Sequence, residues 1–340
     1  MHEPLDVAYE YVTESRLFAE WLAAPAVDVE LCPVGLGEHN ANFSFTHPAS
    51  GQKLLLRVNY VSQMGLEHQI AYEHAGLRAL EMSGRVPRAL FVDDTRQTIG
   101  HGVLVMEFLE GSWLDYERAG DVSQAAAILA DIHSVPVASD CGLLQPANPL
   151  AEQFAECLGF YDVYLRSPYV ETRVTRVIDE CIARTRTALE AYDERRADAN
   201  HIINTEAIAA HFLIPADGSP GHMVDWEKPL VAEPAQDVAY FLSPTTTIWD
   251  SDYIFDASRR AAFVEEYWAC VDGRFSRDAF DAHFDAYVRS NCLRGLTWCT
   301  KAVVDYRDPD TPLTHEKTRR KLDIYLSDEF LAFCLDTCYS

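Results

Sequence analysis

The chain has 340 residues, 48% of them hydrophobic and 24% charged, and carries a formal charge of −25 at neutral pH. Such a field repels phosphate backbones and anionic lipid, so neither nucleic acid nor a membrane surface is an expected partner. No apolar run approaches the roughly 20 residues that span a bilayer, and "MHEPLDVAYEYV" lacks the basic start and apolar stretch of a secretory signal. The expected compartment is the cytoplasm. The acidic excess would suit a cationic small molecule, although solubility alone also accounts for it. Nine cysteines, with no CxxC among them, fit reduced and buried thiols better than a disulfide framework or a zinc site.

Residues 7–22 place apolar side chains at helical spacing. The sequence then alternates like strands, and "NFSFT" and "KLLLRVNY" flank the turn cluster "HPASGQ" as a hairpin. Ile70, Leu77 and Leu80 mark a helix over about 66–82. "RALFVDD" and "HGVLVMEFLEG" read as two more strands. Beyond Gly111 the pattern turns helical: "DVSQAAAILADIHSV", a long block over 150–197, then 256–305 and 315–336. Interrupting these helices, "HIINTEAIAAHFLI" and "HMVDW" suggest two short strands joined through "PADGSPG". The expected organisation is α+β, with a small β-rich lobe holding one helix over 1–110 and a larger α-rich lobe over 111–340.

Several segments could carry chemistry. In "GLGEHNANFSF", Gly35 and Gly37 would let backbone approach a phosphate, with Asn40 at the start of the next strand. Arg57 stands in mid-strand among leucines, where a cation needs a partner, and Glu73 on the following helix is suited to be it. Met106, Glu107 and Phe108 lie where an apolar strand runs into an acidic, glycine-ended connector. Glu206 and Asp225 are acids in neighbouring loops, a pattern that can orient a hydroxyl and hold a metal ion against phosphate oxygens. Asp237 opens an apolar helix, where an acid can also serve as a cap or dipole partner. Two further stretches have plain structural readings. Trp298, Asp305 and Tyr306 could line a pocket, but their helix reads first as core. "EKTRRKLD", 316–323, reads as a solvated helix face with its own ion pairs.

Taken in order, "GLGEHNANF", "AILADIH" and "VDWEKPLVAEPAQDVAYFL" resemble the aminoglycoside phosphotransferase and choline kinase superfamily, whose fold is bilobal and protein-kinase-like. The resemblance runs over nearly the whole chain. It implies a transferase that moves phosphate from ATP or GTP, with Mg²⁺ or Mn²⁺, to a hydroxyl of a small metabolite. It also implies roles: Arg57 on the nucleotide phosphates with Glu73 as its partner, Met106 to Leu109 as the hinge against the base, Asp225 on the metal and Asp237 supporting the catalytic loop. The family loop reads H-G-D-x-x-x-x-N. Here the aligned residues are Asn204, Thr205, Glu206 and, after "AIAA", His211. The chain is similar in this to a divergent bacterial branch with an "NTE" loop. Glu206 is one methylene longer than the usual aspartate, and His211, as second metal ligand, offers nitrogen where Mg²⁺ prefers oxygen. Two outcomes stay open: a working kinase, or an impaired one that binds nucleotide or metabolite as a sensing or interaction module. The acceptor and the oligomeric state are not written in the sequence.

Overall fold

In the computed structural model, residues 4–25, 28–37, 39–192, 198–307 and 316–339 are described. In chain order the elements are α1 (Pro4–Glu14), α2 (Arg16–Leu22), β1 (Cys32–Leu36), β2 (Asn40–Thr46), β3 (Lys53–Asn59), α3 (Gln69–Leu80), β4 (Ala89–Asp93), β5 (Gly102–Glu107), β6 (Ser112–Trp113), α4 (Ala119–His133), α5 (Pro149–Leu165) and α6 (Thr172–Glu190). There follow β7 (His201–Ile203), β8 (Phe212–Ile214), β9 (His222–Met223), β10 (Leu230–Ala232), α7 (Pro234–Leu242), α8 (Pro244–Asp250), α9 (Ala257–Val271), α10 (Asp278–Asp305), α11 (Glu316–Tyr325) and α12 (Asp328–Cys338). The predicted block 150–197 is thus two helices, and its last five residues lie outside the described ones. The chain divides into two compact units: residues 1–113, 135–144 and 211–229, and the remainder.

The first unit is built on a five-stranded antiparallel sheet of order β1-β2-β3-β5-β4. Side chains alternate along the strands. Ala41, Phe43 and Phe45, then Leu54, Leu56 and Val58, then Val103 and Val105 all enter one core with Tyr11, Phe18 and Leu22 of α1 and α2. Arg57 therefore belongs to the other face, in register with Asn42 and Leu104 on the two flanking strands. The helix on that side is α3, and its approach is close. A Cβ on Gly102 of β5 would lie 2.5 Å from Ile70 Cγ2, so only glycine fits. The hairpin of β8 and β9, extended by β6, completes the unit.

Among its described residues the second unit is helical apart from the short pair β7 and β10. Its helices start on local signals. Asn148, Asp256 and Ser327 each accept a hydrogen bond from the amide three residues on, the usual N-cap contact. The main core gathers α5, α6, α10, α11 and α12, with Tyr161, Ile178, Leu293, Leu296, Tyr325 and Leu331 among its buried residues. The predicted core reading of the α10 stretch fits: Trp298 packs against this cluster, and Asp305 pairs with Lys301 at 2.5 Å. The basic run on α11 differs from expectation at Lys321. Its ammonium donates to the carbonyls of Ile248 and Ser251, capping the end of α8 instead of facing solvent. A positive group there complements the negative end of the helix dipole. No helix among the described residues is long and apolar enough to cross a membrane.

Candidate active site

Arg57 is the centre of the charged cluster in the first unit. Its guanidinium donates from Nη1 to Glu73 Oε1 (2.6 Å) and Asp225 Oδ1 (3.0 Å), and from Nε to Asn42 Oδ1 (2.9 Å). The other oxygen of Asp225 lies 3.3 Å from His211 Nε2. Arg57 and Glu73 are almost fully buried, whereas Asp225 leaves 32% of its side chain open. Glu227 adds a further negative charge close to Arg57. Its Oε2 accepts from Asn40 Nδ2 at 2.5 Å, and Asn40 Oδ1 accepts from Asn59. Gln69 of α3 donates to the Glu227 carbonyl, and Tyr72 donates to that of Pro229. The segment after β9 is thereby fastened to α3.

Three acids around one guanidinium cannot all be satisfied by it, and the titration behaviour divides accordingly. Burial pushes the Glu73 carboxyl up to about 7, against the pull of Arg57 and with the help of the Asp225 charge. Burial also opposes ionisation of Asp225, but Arg57 and His211 outweigh it and hold that carboxyl well below its ordinary range. Glu73 Oε2 is buried with no hydrogen-bond partner. Such an acid-rich cluster can accept a further cation. Neighbouring ligands of one ion, with bonds of about 2.1 Å at a right angle, sit about 3 Å apart, close to the spacing of His211 Nε2 and Asp225 Oδ2. Among the described residues no group of three His, Cys, Asp or Glu side chains is placed to hold a metal ion. Two protein donors suit an ion whose remaining ligands are phosphate oxygens and water.

The glycine segment and the predicted hinge lie on the same sheet. Gly35 sits in β1 beside a bulge, and Gly37 N–H donates to Asn40 O (2.9 Å) in the turn. Neither has a positive φ, and a Cβ on either would meet nothing nearer than 3.5 Å, so the protein itself does not demand glycine at these points. Glu38, which follows Gly37, lies outside the described residues. Met106 is buried in β5 opposite Leu55, Glu107 gives its N–H to the Arg88 carbonyl (2.9 Å), and Lys53 Nζ lies 3.9 Å from the Phe108 ring centre.

In the second unit, Asp237 is completely buried in the first turn of α7. It does not cap its own helix. Its two oxygens accept the consecutive amides of Asn204 and Thr205, each at 2.7 Å. His133 Nε2 is 3.3 Å from the same carboxylate, and His133 Nδ1 is 2.9 Å from the Tyr267 hydroxyl. Burial pulls the imidazole down from its ordinary value despite Asp237. A neutral ring can then accept from Tyr267 at Nδ1 and donate to Asp237 from Nε2. Thr205 is held at φ 72°, a left-handed conformation that costs a β-branched residue about 1–3 kcal/mol. A glycine, which the resemblance implies at this position, would adopt it freely.

Glu206 follows this anchored pair. Its amide donates to Asn204 Oδ1 (3.1 Å), and its Oε1 accepts from Arg294 Nη2 (2.9 Å). Arg294, in the middle of α10, also donates from Nε to Glu156 Oε2 of α5 (2.7 Å), and its guanidinium lies 5.7 Å from the Tyr240 ring centre. Neither Arg294 nor Glu156 was singled out by sequence. The signal available was a lone arginine in the apolar run "NCLRGLTW", the same kind of anomaly that marks Arg57.

The profile of the phosphotransferase enzyme family matches residues 30–278. Solved structures share the fold at low identity. A candidate aminoglycoside phosphotransferase from Ralstonia eutropha JMP134 superposes with TM-score 0.63 at 15% identity, covering 91% of this chain and 93% of its own. An ethanolamine kinase from Plasmodium vivax gives 0.62 at 12%, covering 96% and 88%. A spectinomycin phosphotransferase solved with ADP and spectinomycin gives 0.59 at 10%, covering 90% and 92%. No curated protein sequence matches the chain. The expected α+β, protein-kinase-like fold is the fold observed, and the chain belongs to the phosphotransferase enzyme family.

Proposed function

We propose that the protein transfers the terminal phosphoryl group of ATP or GTP to a hydroxyl of a small molecule in the cytoplasm. The observation that carries this reading is the buried Arg57–Glu73 pair with Asp225 and His211 on the same guanidinium cluster. Arg57 would bind phosphate oxygens, with Glu73 fixing its direction. Asp225 and His211 would hold the metal ion, which when bound supplies positive charge against the phosphates. Glu206 would orient the acceptor. As the acceptor oxygen bonds to phosphorus and the bond to the nucleoside diphosphate breaks, the hydroxyl proton passes to the Glu206 carboxylate. Asp237, through two backbone amides, would keep that loop in place. The ADP in the spectinomycin phosphotransferase supports nucleotide use, and the acidic composition favours a neutral or cationic acceptor.

The test is a thermal-shift panel of ATP and GTP with Mg²⁺ or Mn²⁺, followed by turnover across amino alcohols, sugars and aminoglycosides. A metal-dependent rise in the melting temperature is expected, larger with Mn²⁺ because of the imidazole donor, and abolished by Asp225→Ala. Turnover should fall at least a hundredfold in Glu206→Ala. A second reading, a binding module without transfer, is favoured by the engagement of Glu206 with Arg294. It predicts the same nucleotide-induced shift, no phosphate transferred to any acceptor, and no functional change in Glu206→Gln.

A further inference from the structure

Two carboxylates, Glu156 and Glu206, share the single guanidinium of Arg294, and that guanidinium is 9% exposed at the side chain. The three residues come from α5, the loop after β7, and α10. The base of Arg294 is rigid. Next to it on α10, Asn291 donates to the Gln236 carbonyl (2.9 Å) and accepts from Gln153 (2.6 Å), and Ser290 donates to Gln153 (2.8 Å). On its other side Gly295 approaches Thr245 so closely that an added Cβ would lie 2.5 Å from Thr245 Cβ. Arg294 thus cannot shift along or away from the helix without disturbing this packing. The loop beneath Glu206 is equally fixed, by Asp237.

We propose that Arg294 is the positioning residue of this site. Shared with Glu156, it sets both the place and the ionised state of the Glu206 carboxylate. The proposal rests on the phosphotransferase reading for its catalytic meaning. A glutamate has one more rotatable bond than an aspartate, and with it the freedom to swing away from a reacting hydroxyl. A charge-assisted bond from a rigid arginine removes that freedom. Alone with Glu206, the arginine would neutralise it and weaken it as a proton acceptor. Glu156 draws on the same guanidinium from Nε, so the trio keeps one net negative charge. The carboxylate remains ionised yet still accepts a hydrogen bond. The planar fork serves two acids at once, which a lysine ammonium on a flexible stem would not reproduce.

The experiment titrates Glu206 directly, in full-length protein labelled at glutamate side-chain carboxyl carbons, with the Glu206 signal assigned by its loss in Glu206→Gln. Release of ADP from Mg·ATP is followed in parallel. Arg294→Gln should move the Glu206 midpoint up by at least one pH unit, and Arg294→Lys by less. Glu156→Gln, which leaves Glu206 as the arginine's carboxylate partner beside the Tyr240 phenol that burial keeps protonated, should move it down. If turnover is present, Arg294→Gln should lower kcat at least tenfold with KM for Mg·ATP within twofold, and Arg294→Lys should recover part of it. An unchanged midpoint in Arg294→Lys together with Glu156→Gln overturns the proposal, even if Arg294→Gln fails to fold. Absence of turnover in the unmodified protein overturns the phosphotransferase reading, and the midpoints still decide whether Arg294 governs Glu206.

Discussion

Replacing Asp237 by asparagine tests the anchor of the 204–206 loop. The carboxylate receives the amides of Asn204 and Thr205 at 2.7 Å each and faces His133 Nε2 at 3.3 Å, all fully out of water. An asparagine has one acceptor oxygen, so it can keep one amide while its NH₂ group opposes the other. The variant loses one charge-assisted hydrogen bond, about 1.5–3 kcal/mol, and leaves a buried N–H unsatisfied, about 1–3 kcal/mol. Relaxation of the strained Thr205 backbone returns part of this. The net expectation is about 3 kcal/mol, or roughly a hundredfold faster opening of the loop. Hydrogen exchange of a peptide covering 201–208, measured by mass spectrometry beside a peptide from α6, reads this locally. Exchange at 204 and 205 that matches the unmodified protein would refute the reasoning.

Other perturbations follow from the same geometry. Thr205→Gly should be more stable than Thr205→Ala by about 1 kcal/mol, because only glycine takes φ 72° without cost; equal urea midpoints would contradict the strain. Burial pushes the Glu73 carboxyl from its ordinary 4.5 up to about 7 in the folded protein. The folded state therefore binds this proton more tightly, and the stability it contributes below pH 4.5 is lost as the pH rises to about 7, at most about 3 kcal/mol. Glu73→Gln removes the dependence, so its melting temperature relative to the unmodified protein should climb between pH 5 and pH 8; a flat difference counts against the assignment. Gly295→Ala should cost about 2–3 kcal/mol through its clash with Thr245, and a loss under 0.5 kcal/mol would show that α10 can yield there.

What could be read in the sequence was what repeats at short range. Alternation in "NFSFT" and "KLLLRVNY" marks β2 and β3, and an arginine among those leucines announces a buried partner because mid-strand burial of a bare cation is costly. The pairing with α3 follows from the next helix having one acid suitably placed. Arg294 gives no such clue to its partners, since Glu156 and Glu206 are 138 and 88 residues away and nothing local links them. The left-handed backbone at Thr205 is hidden by the residue itself, a threonine where the family's glycine would signal it, and at Asp225 nothing in the neighbouring sequence marks it. Lys321 looks like part of a solvated basic run until the carbonyls of α8 are seen above it.

The distribution of thiols has a practical consequence. Six of the nine cysteines are buried, Cys141 and Cys270 are half-covered, and Cys32 alone is exposed. Burial pushes the thiols of Cys157 and Cys181 up to about 12, which further suppresses thiolate chemistry there. A maleimide dye used briefly at neutral pH should therefore mark Cys32, three residues ahead of Gly35, faster than the half-covered Cys141 and Cys270. The molecule comes with its own labelling point near the glycine segment, and fluorescence there can test for nucleotide binding without any engineering.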